Sequence, residues 1–408
     1  MKTEPRSRQI LIAGAGIAGL TAAIAFAARG FSVQVFEKAP RIEEVGAGLQ
    51  LSPNATRILD RLGVLELVMP AAARPEAVCL VEARGLREIA RVPLGDFAEK
   101  RWRAPYLTVH RADLQSALLA RAARDPDISI ITGAQVRDAA FHTGGVTLSV
   151  DHEGRIREPR GLLAVGADGV WSSLRELGMD AMRHSFTGLT AWRATLRRGG
   201  GGFADQFLRT DVVTAYMHPR FHLVSYPLRG GSAVNLVAVT RGAALAQSWA
   251  ASEDPAPLRE AMAKAAPPLA GLVGNGLSWL GWPLHVVDPK GPWIGEDGIV
   301  LIGDAAHAMT PFAAQGAAMA IEDAYVLAQL VARHADDIAT ALRTYEMERR
   351  ARVLKVVRRG ALNRTAWHAR GPVAFVRNVM LAARTPLRLA ADLDWLYGWE
   401  WNDEVDED

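Results

Sequence analysis

Cysteine is almost absent: Cys79 is the single one in 408 residues. This excludes an internal disulfide and a cysteine-rich metal site, and no metal is expected. No apolar run reaches the ~20 residues that a membrane span needs. The apolar N-terminal stretch has the pattern of a strand and a helix rather than of a signal peptide. Charge of one sign is scarce too, the formal net charge being only +3, so the total gives no nucleic-acid footprint. The expectation is a soluble, cytoplasmic protein with neither a nucleic-acid partner nor a membrane span. What is plentiful is core: half of the residues are hydrophobic, and the length suggests two domains.

The chain is organised around the stretch from Gly298 to Ala324. Ile299 to Ile302 reads as a buried strand, and Gly303-Asp304 ends it in a tight turn. Gln315-Gly316 precedes a strong helix former, Ala317 to Val331. Strand, loop and helix start place one carboxylate, Asp304, near free helix N–H groups at Gly316-Ala317, which suits a ligand with hydroxyls and an anionic edge. The N-terminus carries the matching half. Gln9 to Ala13 is a strand, Gly14-Ala15-Gly16-Ile17-Ala18-Gly19 follows at once, and a helix runs to about Arg29. A second strand, Ser32 to Phe36, ends in Glu37, 23 positions after Gly14. This is the full dinucleotide fingerprint: glycine backbone approaches a pyrophosphate, and the acid accepts ribose hydroxyls.

Further along, Gly46-Ala47-Gly48 reads as a loop close to a planar ligand, and Ser52-Pro53 as the cap and first residue of a helix closed by Gly63. Residues 71–103 read as an excursion into another domain. His110 to Leu114 opens a helix that runs to about Ala123, where Arg111 opposes the helix dipole and so suits an anionic partner. Leu162 to Val165 is a strand ending in Gly166-Ala167-Asp168-Gly169, a second acidic, glycine-rich turn. From Phe186 to Val239 the chain reads as an antiparallel sheet, with a pocket where it meets the nucleotide domain. His218, His222 and Tyr226 share a face if one strand is continuous there, but Pro219 secures only His222 and Tyr226 as a pair. The stretch from Arg343 to Arg388 is strongly basic, with Arg349, Arg350, Arg352, Lys355, Arg358 and Arg359 in one run, and is read as a solvated face that the acidic end from Asp392 to Asp408 can pair with. Trp395, Tyr397, Trp399 and Trp401 are expected to pack the tail against the body, with the last residues fraying.

The fingerprint, the Gly166–Gly169 turn and the Asp304 stretch occur in an order and at separations that resemble the single-component flavin aromatic hydroxylases. That group includes salicylate, 3-hydroxybenzoate and 6-hydroxynicotinate monooxygenases, and the resemblance covers residues 8–400. It implies an α/β fold: a Rossmann-like FAD-binding domain (1–73, 100–181 and 283–345), a mostly antiparallel β-sheet substrate domain (74–99 and 182–282) and a C-terminal helical segment (346–408). It implies FAD as cofactor, NADH or NADPH as co-substrate, and O2 and a small aromatic molecule as partners. Gly14, Ala15, Gly16 and Gly19 would hold the pyrophosphate and Glu37 the ribose, with Lys38 beside it. Arg111, Asp168, Asp304, Pro311 and the Gly316-Ala317 helix start would complete the FAD site, the Asp168-Gly169 turn serving NAD(P)H binding as well, with Gln50 touching flavin or substrate. Phe312 would form an apolar wall that keeps the site dry.

The activity implied is hydroxylation of a phenolic or hydroxy-heteroaromatic carboxylate through a flavin C4a-hydroperoxide, with or without loss of the carboxylate. It needs an electron-rich ring. His222 is the expected acceptor of the phenolic proton, and Tyr226 would hold a carboxylate or phenolate. His307 is expected to be structural, satisfied by a neighbour at the helix start. Two departures stand out. Gln50 replaces a histidine found in some relatives, and Val287-Asp288-Pro289-Lys290 lacks an Asp-Arg pair common there. A flavin halogenase is excluded by the missing WxWxIP stretch. An oxidoreductase acting on a non-aromatic substrate and a non-catalytic flavin-binding protein stay as alternatives, and oligomeric state is open, a homodimer included.

Overall fold

The computed structural model describes residues 8–42, 47–142, 144–179, 182–199, 207–242, 254–274, 277–295 and 298–402. In chain order its strands begin with β1 (Gln9–Ala13), β2 (Ser32–Glu37), β3 (Gly48–Leu51), β4 (Ala77–Glu82), β5 (Glu88–Pro93) and β6 (Leu107–His110). Next come β7 (Ile128–Thr132), β8 (Ala134–His142), β9 (Gly145–His152), β10 (Arg155–Arg157), β11 (Arg160–Gly161) and β12 (Leu163–Gly166). The second half adds β13 (His184–Arg197), β14 (Val213–Met217), β15 (Phe221–Leu228), β16 (Ala233–Arg241), β17 (Leu280–Val287) and β18 (Ile299–Leu301).

The first sheet has the order β18-β12-β1-β2-β7, and every pairing in it is parallel. Its central strands are continuous apolar runs because both faces are covered. The alanine-rich helix Ile17–Ala27 is buried along almost its whole length, since its small side chains let neighbouring elements approach closely. Adjacency of β1, β12 and β18 brings the three glycine-rich turns, which follow these strands, to one edge of the sheet. In such sheets ligands bind at the carboxyl ends of the strands.

The second sheet runs β17-β13-β16-β15-β14-β4-β5 and is antiparallel except where β14 lies parallel to β4. One face carries Trp192, Leu236, Leu223, Tyr216 and Cys79, packed in a core with Leu258, Met262, Leu269 and Trp279. Register assigns the other face: Ala191, Val239, His222, Met217 and Glu82 lie in one row across the strands, and Arg193, Val237, Val224 and Ala215 in the next but one. As expected, Pro219 breaks the run, for β14 ends at Met217 and β15 starts at Phe221. Strands β8 to β11 form a small accessory sheet. The pair β3-β6 links the two halves, with Gly48 opposite His110. Gly48 is therefore strand, not loop, and Gly46 lies outside the described residues. Ser52 precedes the helix Pro53–Arg61 without capping it, because its hydroxyl donates to Asn54 Oδ1 (2.6 Å) instead.

Helices close the chain: Gly316–Arg333, Ile338–Trp367, Gly371–Ala382, Pro386–Ala391 and Asp394–Tyr397. The aromatic tail packs as expected, Tyr397 meeting Trp102 and Tyr106 edge-on at 5.0 and 5.8 Å. The final residues, read as frayed, lie outside the described ones. The fold class is the one expected from sequence.

Candidate active site

At the first sheet's edge, Gly14 adopts φ +102°, and a Cβ there would lie 2.6 Å from the Ala167 carbonyl oxygen. Only glycine lets the fingerprint loop rest against the Gly166–Gly169 turn. Glu37 spans the loop, its Oε2 accepting the Ala15 N–H and its Oε1 the Ala39 N–H, both at 2.9 Å. Lys38 beside it is exposed. Asp168 directs Oδ2 to the next helix, accepting from Ser173 N (2.7 Å) and Oγ (3.0 Å), while its Oδ1 is buried without a partner. Arg175, which the sequence does not single out as a connector, is buried and donates to the carbonyls of Val170 (2.6 Å) and Ala305 (2.9 Å). It ties the Asp168 turn to the Asp304 turn.

Asp304 starts the short helix Asp304–His307 and is exposed, as is Arg111 at the start of the helix Arg111–Ala122. Pro311 opens a turn that buries Phe312. The helices that begin at Ile17 and Gly316 have no side-chain cap, and a Cβ built on Gly16 or Gly316 meets nothing within 4 Å. First-turn N–H groups of two helices thus face open space, where anions are favoured. Together with the carboxylates of Glu37 and Asp304 for hydroxyls, these residues fit a flavin adenine dinucleotide.

Behind this edge lies a buried polar network. Gly303 donates its N–H to Asp323 Oδ2 (2.9 Å), and His307 Nε2 lies 2.5 Å from the same oxygen. Arg349 donates Nε to Asp323 Oδ1 (2.8 Å) and Nη1 to Glu322 Oε2 (2.6 Å), and Arg352 grips both oxygens of Glu322 at 2.6 and 2.7 Å. Asn54 Nδ2 donates to Glu322 Oε1 (2.7 Å), and Gln315 Nε2 donates to Ser52 Oγ (2.9 Å). Burial alone would raise the Asp323 carboxyl, but His307 and Arg349 overcome it and hold it at about 2. The reading of the basic run as a solvated face is therefore corrected for two of its members, since Arg349 is 1% exposed and Arg352 packs over Trp399, whereas Lys355 and Arg358 are exposed as expected. The acidic end does pair, Asp392 with Arg384 in that stretch but Asp394 with Arg101 outside it. His307 is structural, held by Asp323 within the helix rather than by a residue at its start.

On the second sheet, His222 is 2% exposed and packs against Phe312 (4.8 Å between ring centres) and Trp367 (5.1 Å). Its Nδ1 lies 3.3 Å from Nε2 of His368, 146 positions away. Burial, then the neighbouring His368, pushes its pKa well below the usual histidine value, which favours the neutral ring. Tyr226 donates its hydroxyl to the Gly48 carbonyl (2.6 Å), and Gly48 N–H is received by Asn235 Oδ1 (2.9 Å). Gln50 accepts the Tyr106 hydroxyl at 2.7 Å. Arg193 shares this face, and its Nε is buried without a hydrogen-bond partner. Burial lowers its pKa, and Tyr226, Arg111 and Asp304 are close enough to act on its charge. The arginine therefore stands between Tyr226 and the edge that carries Arg111 and Asp304. His368, Trp367, Asn235 and Arg193 belong to no motif, and only their place in the fold reveals them.

A family model described as an FAD binding domain matches residues 7–197 and 293–360. The chain is 33% identical to a 3-hydroxybenzoate 6-hydroxylase of Polaromonas naphthalenivorans (strain CJ2), over 98% of each chain. The chain belongs to the FAD-dependent aromatic hydroxylases. A second relative, a 6-hydroxynicotinate 3-monooxygenase of Bordetella bronchiseptica, is 31% identical over 88% of this chain and 91% of its own. A salicylate hydroxylase substrate complex superposes with a TM-score of 0.78 at 25% identity, covering 97% of this chain and 96% of that one. The hydroxylase uses FAD with NAD(P)H as co-substrate. Among its described residues no helix is long and apolar enough to cross a membrane.

Proposed function

We propose that this hydroxylase acts on a phenolic or hydroxy-heteroaromatic carboxylate, with His222 as the base, Arg193 holding the substrate's anionic group, and Tyr226 joining it by turning its hydroxyl from the Gly48 carbonyl to the substrate. The observation that carries the reading is the shared sheet face: a buried imidazole, a buried tyrosine and a half-buried arginine whose buried Nε has no partner. FAD, when bound, transfers electrons from NAD(P)H to O2 and delivers one oxygen atom to the ring. The protein supplies the rest. His222 accepts the phenolic proton at one ring nitrogen while His368 faces the other, which fixes the imidazole's orientation. Phe312 and Trp367 exclude water beside it. Arg193 supplies a cation in a site of low polarity, where it attracts a carboxylate strongly.

Gly14, Ala15, Gly16 and Gly19 with Glu37 and Lys38 serve the adenosine diphosphate half of FAD in this reading. Gln50, Arg111, Asp168, Asp304, Pro311, Gly316 and Ala317 serve the flavin half. The domain division given above belongs to the same reading, as do a cytoplasmic location and a homodimer. Exposed Val373, Phe375, Val376, Val379 and Met380 on one helix support the homodimer, because monomers seldom expose such contiguous apolar surface. The test is oxidation of NADH and NADPH by the FAD-loaded protein against a panel of aromatic acids and phenols. Acceleration by hydroxybenzoates or hydroxypyridine carboxylates supports the reading. Acceleration only by compounds without an aromatic ring would overturn it.

A further inference from the structure

The sheet face that carries His222 runs out to a second opening, away from the flavin motifs. Met217, the last residue of β14, pairs with His222 on one side and Glu82 on the other. Two adjoining cavities of about 230 and 240 Å³ meet there and share Arg84, His218, Pro219, Arg370 and Gly371. Four cationic side chains line the first, Arg84, Arg220, Lys264 and Arg370. All are exposed, and none makes an ion pair among the described residues. Glu82, an acid on the wall of the second cavity, is occupied by the backbone N–H groups of Arg84 (3.2 Å) and Gly85 (2.9 Å).

Two further observations point to a ligand. His218 is 2% exposed and lines both cavities. Its Nδ1 accepts the Arg220 N–H at 3.3 Å, and its Nε2 is left without a partner. Buried side-chain nitrogens rarely go unsatisfied unless they serve something else. Trp367 lines the second cavity and also packs edge-on to His222 at 5.1 Å. Trp367 therefore touches both the basic opening and the proposed base.

We propose that this opening is a cationic vestibule that captures the carboxylate of the aromatic substrate and passes the ring past Trp367 to His222. The inference rests on the aromatic-carboxylate reading above. A cleft lined by one sign of charge concentrates the opposite ion and raises association rates by about 10- to 1,000-fold, an effect that falls steeply with ionic strength. The flat indole gives the arriving ring a stacking surface at the point of transfer.

The test compares the FAD-loaded parent with the double variant Arg84→Glu/Lys264→Glu, both surface positions outside the catalytic machinery. Substrate binding is read from the flavin absorbance change without NAD(P)H, and kcat/KM is followed against salt. At low ionic strength the variant is expected to bind the aromatic acid about tenfold more slowly and to lose about tenfold in kcat/KM. The gap closes at high salt, kcat and the KM for NAD(P)H are unchanged, and the matching aromatic amide shows no difference. Equal rates and equal salt slopes in parent and variant would overturn the vestibule. So would a loss confined to the KM for NAD(P)H, which would assign the cations to the nucleotide. A parent that no aromatic acid stimulates would instead show that the functional reading itself has failed, and the vestibule with it.

Discussion

Replacing Arg349 by Met removes the cation that joins Glu322 and Asp323 while keeping much of its aliphatic volume. Arg349 is 1% exposed and both carboxylates are fully buried, so no water can take its place. Breaking a buried ion pair from one side costs about 3–5 kcal/mol. The lower end applies, because Glu322 retains Arg352 and Asn54, and Asp323 retains His307 and the Gly303 N–H. An unfolding entropy of about 2.1 cal/mol/K per residue gives ~0.9 kcal/mol/K for 408 residues. A loss of ~3 kcal/mol thus lowers Tm by about 3–4 °C. Since Asp323 anchors Gly303 directly before Asp304, FAD should also bind more weakly. Differential scanning calorimetry of the apo-protein and a flavin fluorescence titration measure the two effects. Unchanged Tm together with unchanged FAD affinity would refute the claim that this network braces the flavin edge.

His222→Gln is expected to keep FAD and reduce kcat by about 100- to 10,000-fold, the usual worth of a general base; loss of FAD in place of turnover would remove His222 from that role. Gly48→Ala puts a Cβ 2.6 Å from Tyr226 Cε2 and 3.0 Å from Asn235 Cγ, which should cost about 1–3 kcal/mol by overpacking and raise KM for the aromatic acid. A variant with parental stability and KM would show that Tyr226 is not held in place by this contact. Burial, followed by nearby arginines, lowers His218 and His368 to about 4. Against an unfolded value near 6.5, their stabilisation is complete above pH 6.5 and is lost as pH falls towards 4, because the unfolded chain then binds more protons. Tm should fall between pH 7 and 5, and His218→Gln/His368→Gln should flatten that slope; an unaltered slope would contradict the assignment.

The flavin half of the molecule is legible in the sequence because its signals are local. A strand, a glycine turn and a helix start occupy neighbouring positions, and Glu37 follows at the spacing of the dinucleotide fingerprint. The pair His222 and Tyr226 is legible for the same reason, since four residues on one strand fix a common face. What is not legible depends on contacts distant in sequence. Nothing in Trp367-His368 marks it as the wall beside His222, which lies 146 positions before His368. Arg193 reads as one alternating residue of a strand until β16 places it in the row of Val224, between His222 and Tyr226 on the same face. The basic run misleads because charge patterning alone suggests solvent, whereas Glu322 and Asp323 on the facing helix draw Arg349 and Arg352 inward. Ser52 likewise looks like a cap until Asn54 and Gln315, 263 positions on, engage its hydroxyl.

The most direct test of the central claim is turnover of an aromatic hydroxy acid under 18O2, with NAD(P)H and the FAD-loaded protein, followed by mass spectrometry of the product. One 18O atom in a newly hydroxylated ring, abolished in His222→Gln with FAD still bound, is the predicted result. NAD(P)H oxidation with no labelled organic product from any aromatic acid would contradict it.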